Sequence, residues 1–142
     1  MTREETALLI PSIRAISEAA GEEIMPFFRR GGLTVKSKRD GSLVTNADIV
    51  AEKRILSALH ELTPTIPVIS EEAVSAGMRP VPPNGLWWLV DPLDGTQDFV
   101  CGRAEFTVNI ALVEGDQLRL GVVHQPVSLQ TYAGAGPGTA SC

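Results

Sequence analysis

The chain has 142 residues, enough for one domain of ordinary size and too few for two comfortable ones. It is 44% hydrophobic and 20% charged, the make-up of a folded globular protein rather than a disordered one. Seventeen acidic against twelve basic residues give a net charge of −5, which argues against general nucleic-acid or anionic-membrane binding and leaves anions to be held through a cation or a local dipole.

The opening "MTREETALLI" is charged and only briefly apolar, so no signal peptide is expected, and no apolar run approaches the ~20 residues of a membrane span. Cys101 and Cys142 are too few and too far apart for a disulfide framework, and a reduced, cytoplasmic setting is the simpler expectation.

The first predicted element is a helix. Thr2 and Glu5 fit a capping box, and Leu9, Ile13, Ile16, Ala20 and Ile24 recur at helical spacing. Pro11 predicts a kink or a later start; Pro26 and "RRGG" predict the end. Leu33–Lys36 reads as a short strand and "KSKRDGS" as a polar loop. A second helix is predicted from "TNADIVAEKRILSALHEL", capped by Thr45, with Ile55, Leu59 and Leu62 as its apolar stripe and "TPTIP" as its stop.

Residues 66–70, "IPVIS", read as a buried strand ending at Glu71-Glu72, followed by a Pro/Gly-rich loop at roughly 76–85 and a second buried strand, "LWWLV". Two alternating runs come next. Phe106, Val108, Ile110 and Leu112 share one face, and so do Leu118, Leu120 and Val122; Gly115-Asp116 between them predicts a β-hairpin. "LQTYAGAG" is a candidate for one more antiparallel strand. The expected class is α+β, two N-terminal helices packed on an antiparallel sheet within a single domain, 1–142. The tail "GAGPGTASC" offers no closing element, so the sheet's second face is either solvated or covered by a partner or a further segment.

Carboxylates gather at the ends of the buried strands. Glu71 and Glu72 follow "PVIS", Asp91 follows "WWLV", and Asp94 comes three residues later. If those ends lie side by side, the like charges repel, and a hard divalent cation is the natural remedy. Mg²⁺ suits all-oxygen ligands, and the Leu93 carbonyl adds one to the carboxylates. A helix starting near Asp94–Thr96 would turn free N–H groups to the same space; Gly95 lets a phosphate approach and Thr96 adds a hydroxyl. Water activated by the cation then needs a proton acceptor, for which Asp48, Glu71 and Thr96 are candidates.

Taken singly, each feature has a plainer meaning. Asp91-Pro-Leu-Asp94 alone is a turn with an N-cap, Asp48 alone completes a capping box with Thr45, and Glu71-Glu72 alone is a solvated loop start. Lys36, Lys38 and Arg39 either meet substrate phosphates or form a solvated loop. His60 is expected on the surface, His124 in a strand, Trp87 and Trp88 in packing, and Cys101 as a bystander. The combination is what points to a site.

The stretch "DPLDGTQDF" resembles the Asp-Pro-(Ile/Leu)-Asp-Gly-Thr signature of the inositol monophosphatase superfamily. "SLVTNAD", "PVISEE" and "EFTVNIALVEGDQLRLGVVHQPV" resemble further family segments in the same order across nearly the whole chain. The order and spacing are most similar to the CysQ branch, the 3′(2′),5′-bisphosphate nucleotidases. Gln97 stands where that branch usually has Lys, and Leu43 where the family usually has Pro.

The resemblance implies the N-terminal half of an αβαβα sandwich, with a C-terminal α/β part that nothing here matches. It implies Mg²⁺ held by Glu71, Asp91, the Leu93 carbonyl and Asp94. Water would be activated by Asp48 and Thr96, phosphate bound by Asp94, Gly95 and Thr96, and Li⁺ would inhibit. The implied activity is a metal-dependent phosphomonoesterase acting on adenosine 3′,5′-bisphosphate or a sulfated relative. An inositol or sugar phosphatase, a non-catalytic piece that binds metal or phosphate, and a homodimer formed through the open sheet face are the alternatives.

Overall fold

The computed structural model describes residues 1–71, 73 and 85–142. Glu72 and nearly all of the predicted Pro/Gly-rich loop lie outside the described residues.

The N-terminal helix is split by its proline. Helix α1 spans Arg3–Leu8 behind the Thr2/Glu5 capping box, and α2 spans Ile10–Arg30 with Pro11 in its first turn, where the missing N–H costs nothing. Pro26 lies inside α2, contrary to expectation, and the helix runs on to Arg30. The stop comes from Gly31, at φ 81°, a conformation that favours glycine. Ile13, Ser17, Ala20, Gly21 and Ile24 line the buried side of α2 at three- and four-residue steps. At Gly21 a Cβ would stand 2.8 Å from the His124 ring, so glycine lets this helix sit close on the sheet.

Strands β1 (Val35–Ser37) and β2 (Leu43–Thr45) form a small antiparallel pair around the polar turn. The first begins two residues later than predicted. Helix α3 spans Asn46–Leu62 and buries Ala47, Ala51, Ile55 and Leu59, a stripe at steps of four. Leu62, expected in that stripe, is 37% exposed. It is the last residue of the helix, at the end of the stripe rather than off its line.

Among the described residues five strands make the main sheet, in the order β3-β4-β5-β6-β7: Val68–Ser70, Leu86–Asp94, Thr107–Glu114, Gln117–Gln125 and Gln130–Gly134. The predicted hairpin is β5–β6, and the extra strand is β7. The α+β class holds, but the sheet is mixed rather than antiparallel, because β3 pairs with β4 in parallel. That pairing sets the C-terminal ends of β3 and β4 side by side, which an antiparallel pair would not do.

The core lies between the helices and one sheet face, where Trp88, Val90, Val108, Ile110, Leu112, Leu120 and Val122 are buried against α2 and α3. Phe28, Phe99 and Phe106 close one end, with ring centroids 5.0 to 5.8 Å apart. Leu118, predicted to share a face with Leu120 and Val122, is exposed. The β5–β6 register shifts between Leu112 and Val113, and the bulge turns Leu118 outward. The opposite sheet face leaves Leu89, Val123 and Tyr132 partly open. The C-terminal tail folds back on β7, where Ala133 and Ser141 exchange backbone hydrogen bonds, while Arg3 and Arg14 hold its carbonyls. Among the described residues no helix is long and apolar enough to cross a membrane. Both cysteines are free and exposed.

Candidate active site

Strand β2 delivers Thr45 to the head of α3, where Thr45 and Asp48 form a capping box. The Thr45 backbone N–H and hydroxyl both donate to Asp48 Oδ2, at 2.8 and 2.6 Å. Asp48 Oδ1 accepts from the Thr96 hydroxyl at 3.2 Å, a contact between residues 48 positions apart. The capping role and the site role therefore belong to different oxygens of one carboxylate. Burial pushes the Asp48 carboxyl above its ordinary range, and the bonds from Thr45 and Thr96 pull it only part of the way back.

Thr96 opens the short helix α4, Thr96–Val100. Its hydroxyl also lies 3.1 Å from the Leu93 carbonyl, so one proton serves two acceptors. Gly95 precedes it at φ 84°. A Cβ there would come within 2.8 Å of the Glu105 carbonyl. The structure thus gives Gly95 a packing reason in addition to the predicted phosphate approach: the turn must fit against the start of β5.

Strand β4 does not end at Val90 as predicted but continues through the motif to Asp94. Asp91 pairs with Asn109 and Asp94 with Thr107, so a register shift falls between the two aspartates. Pro92, with no N–H to give, sits in that irregularity.

The parallel register Ser70↔Val90 brings Glu71, just past β3, beside Asp91. The Asp91 carboxyl is pushed up to about 8, first by burial, then by the charge of Glu71 and a shared hydrogen bond with it, with Asp94 adding to the rise. Asp91 Oδ1 is buried with no hydrogen-bond partner. Asp94 is exposed, and its Oδ2 accepts from Asn109 Nδ2 at 3.1 Å. Lys38 Nζ stands 3.8 Å from Glu71 Oε1. Lys36 and Arg39 are exposed.

Glu71, Asp91, Asp94 and Thr96 share a cleft of about 240 Å³. Gly41, Ser42, Leu43, Leu93, Gly95 and Gln97 complete its lining. A larger cleft of about 550 Å³ lies between α2 and the turn after β6 and contains none of the predicted residues. The smaller one is lined by Glu71, Asp91, Leu93, Asp94, Gly95 and Thr96 of the predicted set.

Among the described residues no three His, Cys, Asp or Glu side chains are drawn together closely enough to hold an ion as they stand. The donor set nevertheless fits a hard cation. It offers oxygen without sulfur or imidazole, and one of its oxygens is buried and unsatisfied. Asp91 lies beside Glu71, and burial together with that neighbouring charge favours its protonated form, a repulsion that a bound cation would relieve. Asn109 is absent from the sequence-predicted set. Its signal was the β5 alternation, where a polar residue sits between Val108 and Ile110, but only the strand register shows that it faces Asp91.

Residues 5–142 match the inositol monophosphatase family. The chain is 41% identical over 128 residues to the 3′(2′),5′-bisphosphate nucleotidase CysQ of Escherichia coli (strain K12), a match covering 89% of this chain and 52% of that protein. It is 37% identical over 127 residues to CysQ of Aggregatibacter actinomycetemcomitans, covering 89% of this chain and 47% of the relative. Among solved structures it resembles an inositol monophosphatase of Thermotoga maritima, with a TM-score of 0.80 and 27% identity over 93% of this chain and 50% of the other. The chain spans about half the length of the curated relatives it matches. With the fold, the ordered motifs and a match over nearly its full length in agreement, the chain belongs to the inositol monophosphatase family.

Proposed function

We propose that this chain is the N-terminal, metal-binding part of a Mg²⁺-dependent phosphomonoesterase of the 3′(2′),5′-bisphosphate nucleotidase type, with residues 1–142 as a single domain. Its substrate is the 3′-phosphate of adenosine 3′,5′-bisphosphate or a sulfated relative. The observation that carries the reading is the convergence in one cleft of the Asp48–Thr96 hydrogen bond with the unpartnered Asp91 carboxylate. The similarity to CysQ supports the choice of substrate.

Glu71, Asp91, the Leu93 carbonyl and Asp94 would hold Mg²⁺, which supplies Lewis-acid stabilisation of the phosphoryl oxygens and lowers the pKa of water. Thr96, when it donates to Asp48, turns its lone pairs to the cleft and accepts a proton from the attacking water. Asp48, with its raised proton affinity, takes the Thr96 proton in turn. The water oxygen bonds to phosphorus, the ester P–O bond breaks, and the leaving alcohol takes its proton from solvent. Gly95 and Thr96 position the phosphate. Li⁺ inhibits by competing for the cation's place, and the protein works in the cytoplasm.

The likeness to the Thermotoga inositol monophosphatase favours a second reading, a phosphatase of inositol or sugar phosphates. The full-length enzyme assayed on adenosine 3′,5′-bisphosphate and on inositol 1-phosphate separates the two. A kcat/KM at least tenfold higher for the nucleotide is expected, and the reverse order overturns the substrate assignment. Phosphate release that survives Asp94→Asn overturns the metal-dependent reading itself.

A further inference from the structure

Asn109 stands directly across from Asp91 on β5, on the sheet face away from the helices. Its Nδ2 donates to Asp94 Oδ2 at 3.1 Å. That bond fixes the amide, because the flipped orientation would set two acceptors against each other. Its Oδ1 is buried and has no hydrogen-bond partner, and the same is true of Asp91 Oδ1. Trp87 Nε1 is the third such atom among the described residues, and it is a donor. Two orphaned acceptors on one cross-strand pair are costly in a protein left to itself.

We infer that Asn109 is a positioning residue of the cation site, with its Nδ2 aiming Asp94 and its Oδ1 accepting from water that stays on the bound ion. The inference rests on the metal-dependent reading above. Mg²⁺ keeps several waters when it binds protein carboxylates, and each water brings two protons that need acceptors. Asn109 Oδ1 supplies such an acceptor beside the proposed ligand Asp91, at a place where the protein offers it no donor. Residues that orient ligands in this way typically set metal affinity by 10- to 100-fold.

The test is a calorimetric titration with Mg²⁺ alone on the wild-type protein and on Asn109→Leu, Asn109→Ala and Asp91→Asn, with thermal unfolding followed with and without Mg²⁺. Asn109→Leu is expected to weaken Mg²⁺ at least tenfold while leaving the metal-free melting temperature unchanged or raised, since it removes a buried unpaired acceptor. Asn109→Ala should weaken Mg²⁺ likewise. If Asp91→Asn abolishes binding while both Asn109 variants bind Mg²⁺ within twofold of wild type, the role of Asn109 is overturned and the metal reading stands. If wild type binds no Mg²⁺, both fall. A metal-free Asn109→Leu protein that melts well below wild type overturns the positioning role in favour of a purely structural one.

Discussion

On the α3 side of the cleft both oxygens of Asp48 are hydrogen-bonded, one to Thr45 and one to Thr96. On the β4 side Asp91 Oδ1 and Asn109 Oδ1 have no partner, and Asp91 and Glu71 crowd one another. Both sides are built on a buried carboxylate and differ in what completes it. The α3 side is finished by the chain itself and doubles as a helix cap. The β4 side is left unfinished, which a fold tolerates when a ligand supplies the missing interactions. Substitutions on the first side should cost stability; on the second they should leave the metal-free fold as stable or more so and cost function.

The largest effect is expected at Asp91. In the full-length enzyme Asp91→Asn should lower turnover by roughly 10³-fold, about 4 kcal/mol in barrier, by removing a carboxylate from the proposed ligand set. Steady-state phosphate release at saturating Mg²⁺ measures it. Turnover within tenfold of wild type would show that the unfinished side is not the metal side. Next, Asp48→Asn and Thr96→Val should each reduce kcat by about 10²–10⁴-fold, the usual range for a lost proton-transfer group, while Mg²⁺ affinity stays close to wild type. Equal losses of Mg²⁺ binding in these variants would erase the division between the two sides.

The same Asp91 substitution should reverse sign when stability is read instead. The folded-state carboxyl, near 8, lies above its ordinary value of 3.8, so the folded chain keeps a proton that the unfolded chain has lost. In metal-free protein its contribution is fully present below about pH 4 and is lost as pH rises through about 8. At pH 8 and above, Asp91→Asn should therefore be more stable than wild type by about 2 kcal/mol, allowing for solvent screening. Denaturant unfolding from pH 5 to 9, with chelator present, shows whether wild type declines while the variant stays flat. Saturating Mg²⁺ should abolish the decline, because the ion replaces the proton.

The contrast also explains what the sequence could and could not reveal. Thr45 with Asp48, and Asp91 with Asp94 and Thr96, are two locally spaced groups of caps and turns, and local chemistry makes each legible; the bond that joins them, Thr96 to Asp48, is not local. Glu71 was also named from the sequence, on the condition that the strand ends lie side by side; the parallel pairing of β3 and β4 that meets this condition is decided by the whole core and is not encoded in an apolar run of five residues. Asn109 depends on the β5 register against β4, which no local pattern encodes. Leu118 failed for a related reason, since a bulge breaks the alternation that seemed to place it. Pro26 failed because helix α2 is held by its packed face, which outweighs one missing backbone bond. Gly95 was legible as a special position, but its tight approach to the Glu105 carbonyl emerges only when β5 returns beside the turn.

The smallest predicted effect tests the finished side on its own terms. Thr45→Ala removes the side chain that accepts from the Asp48 N–H and donates to Asp48 Oδ2 at 2.6 Å. The cap alone is worth about 1 kcal/mol, and a buried carboxylate stripped of one donor adds a comparable cost, so a loss of roughly 1–2 kcal/mol in unfolding free energy is expected. Thr45→Ser keeps the hydroxyl and should stay within about 0.5 kcal/mol of wild type. In Thr45→Ala, Asp48 keeps the Thr45 backbone N–H and the Thr96 hydroxyl, so kcat should fall far less than in Asp48→Asn. Were Thr45→Ala to cost no stability, Asp48 would not depend on its cap, and the α3 side would be as unfinished as the β4 side it faces.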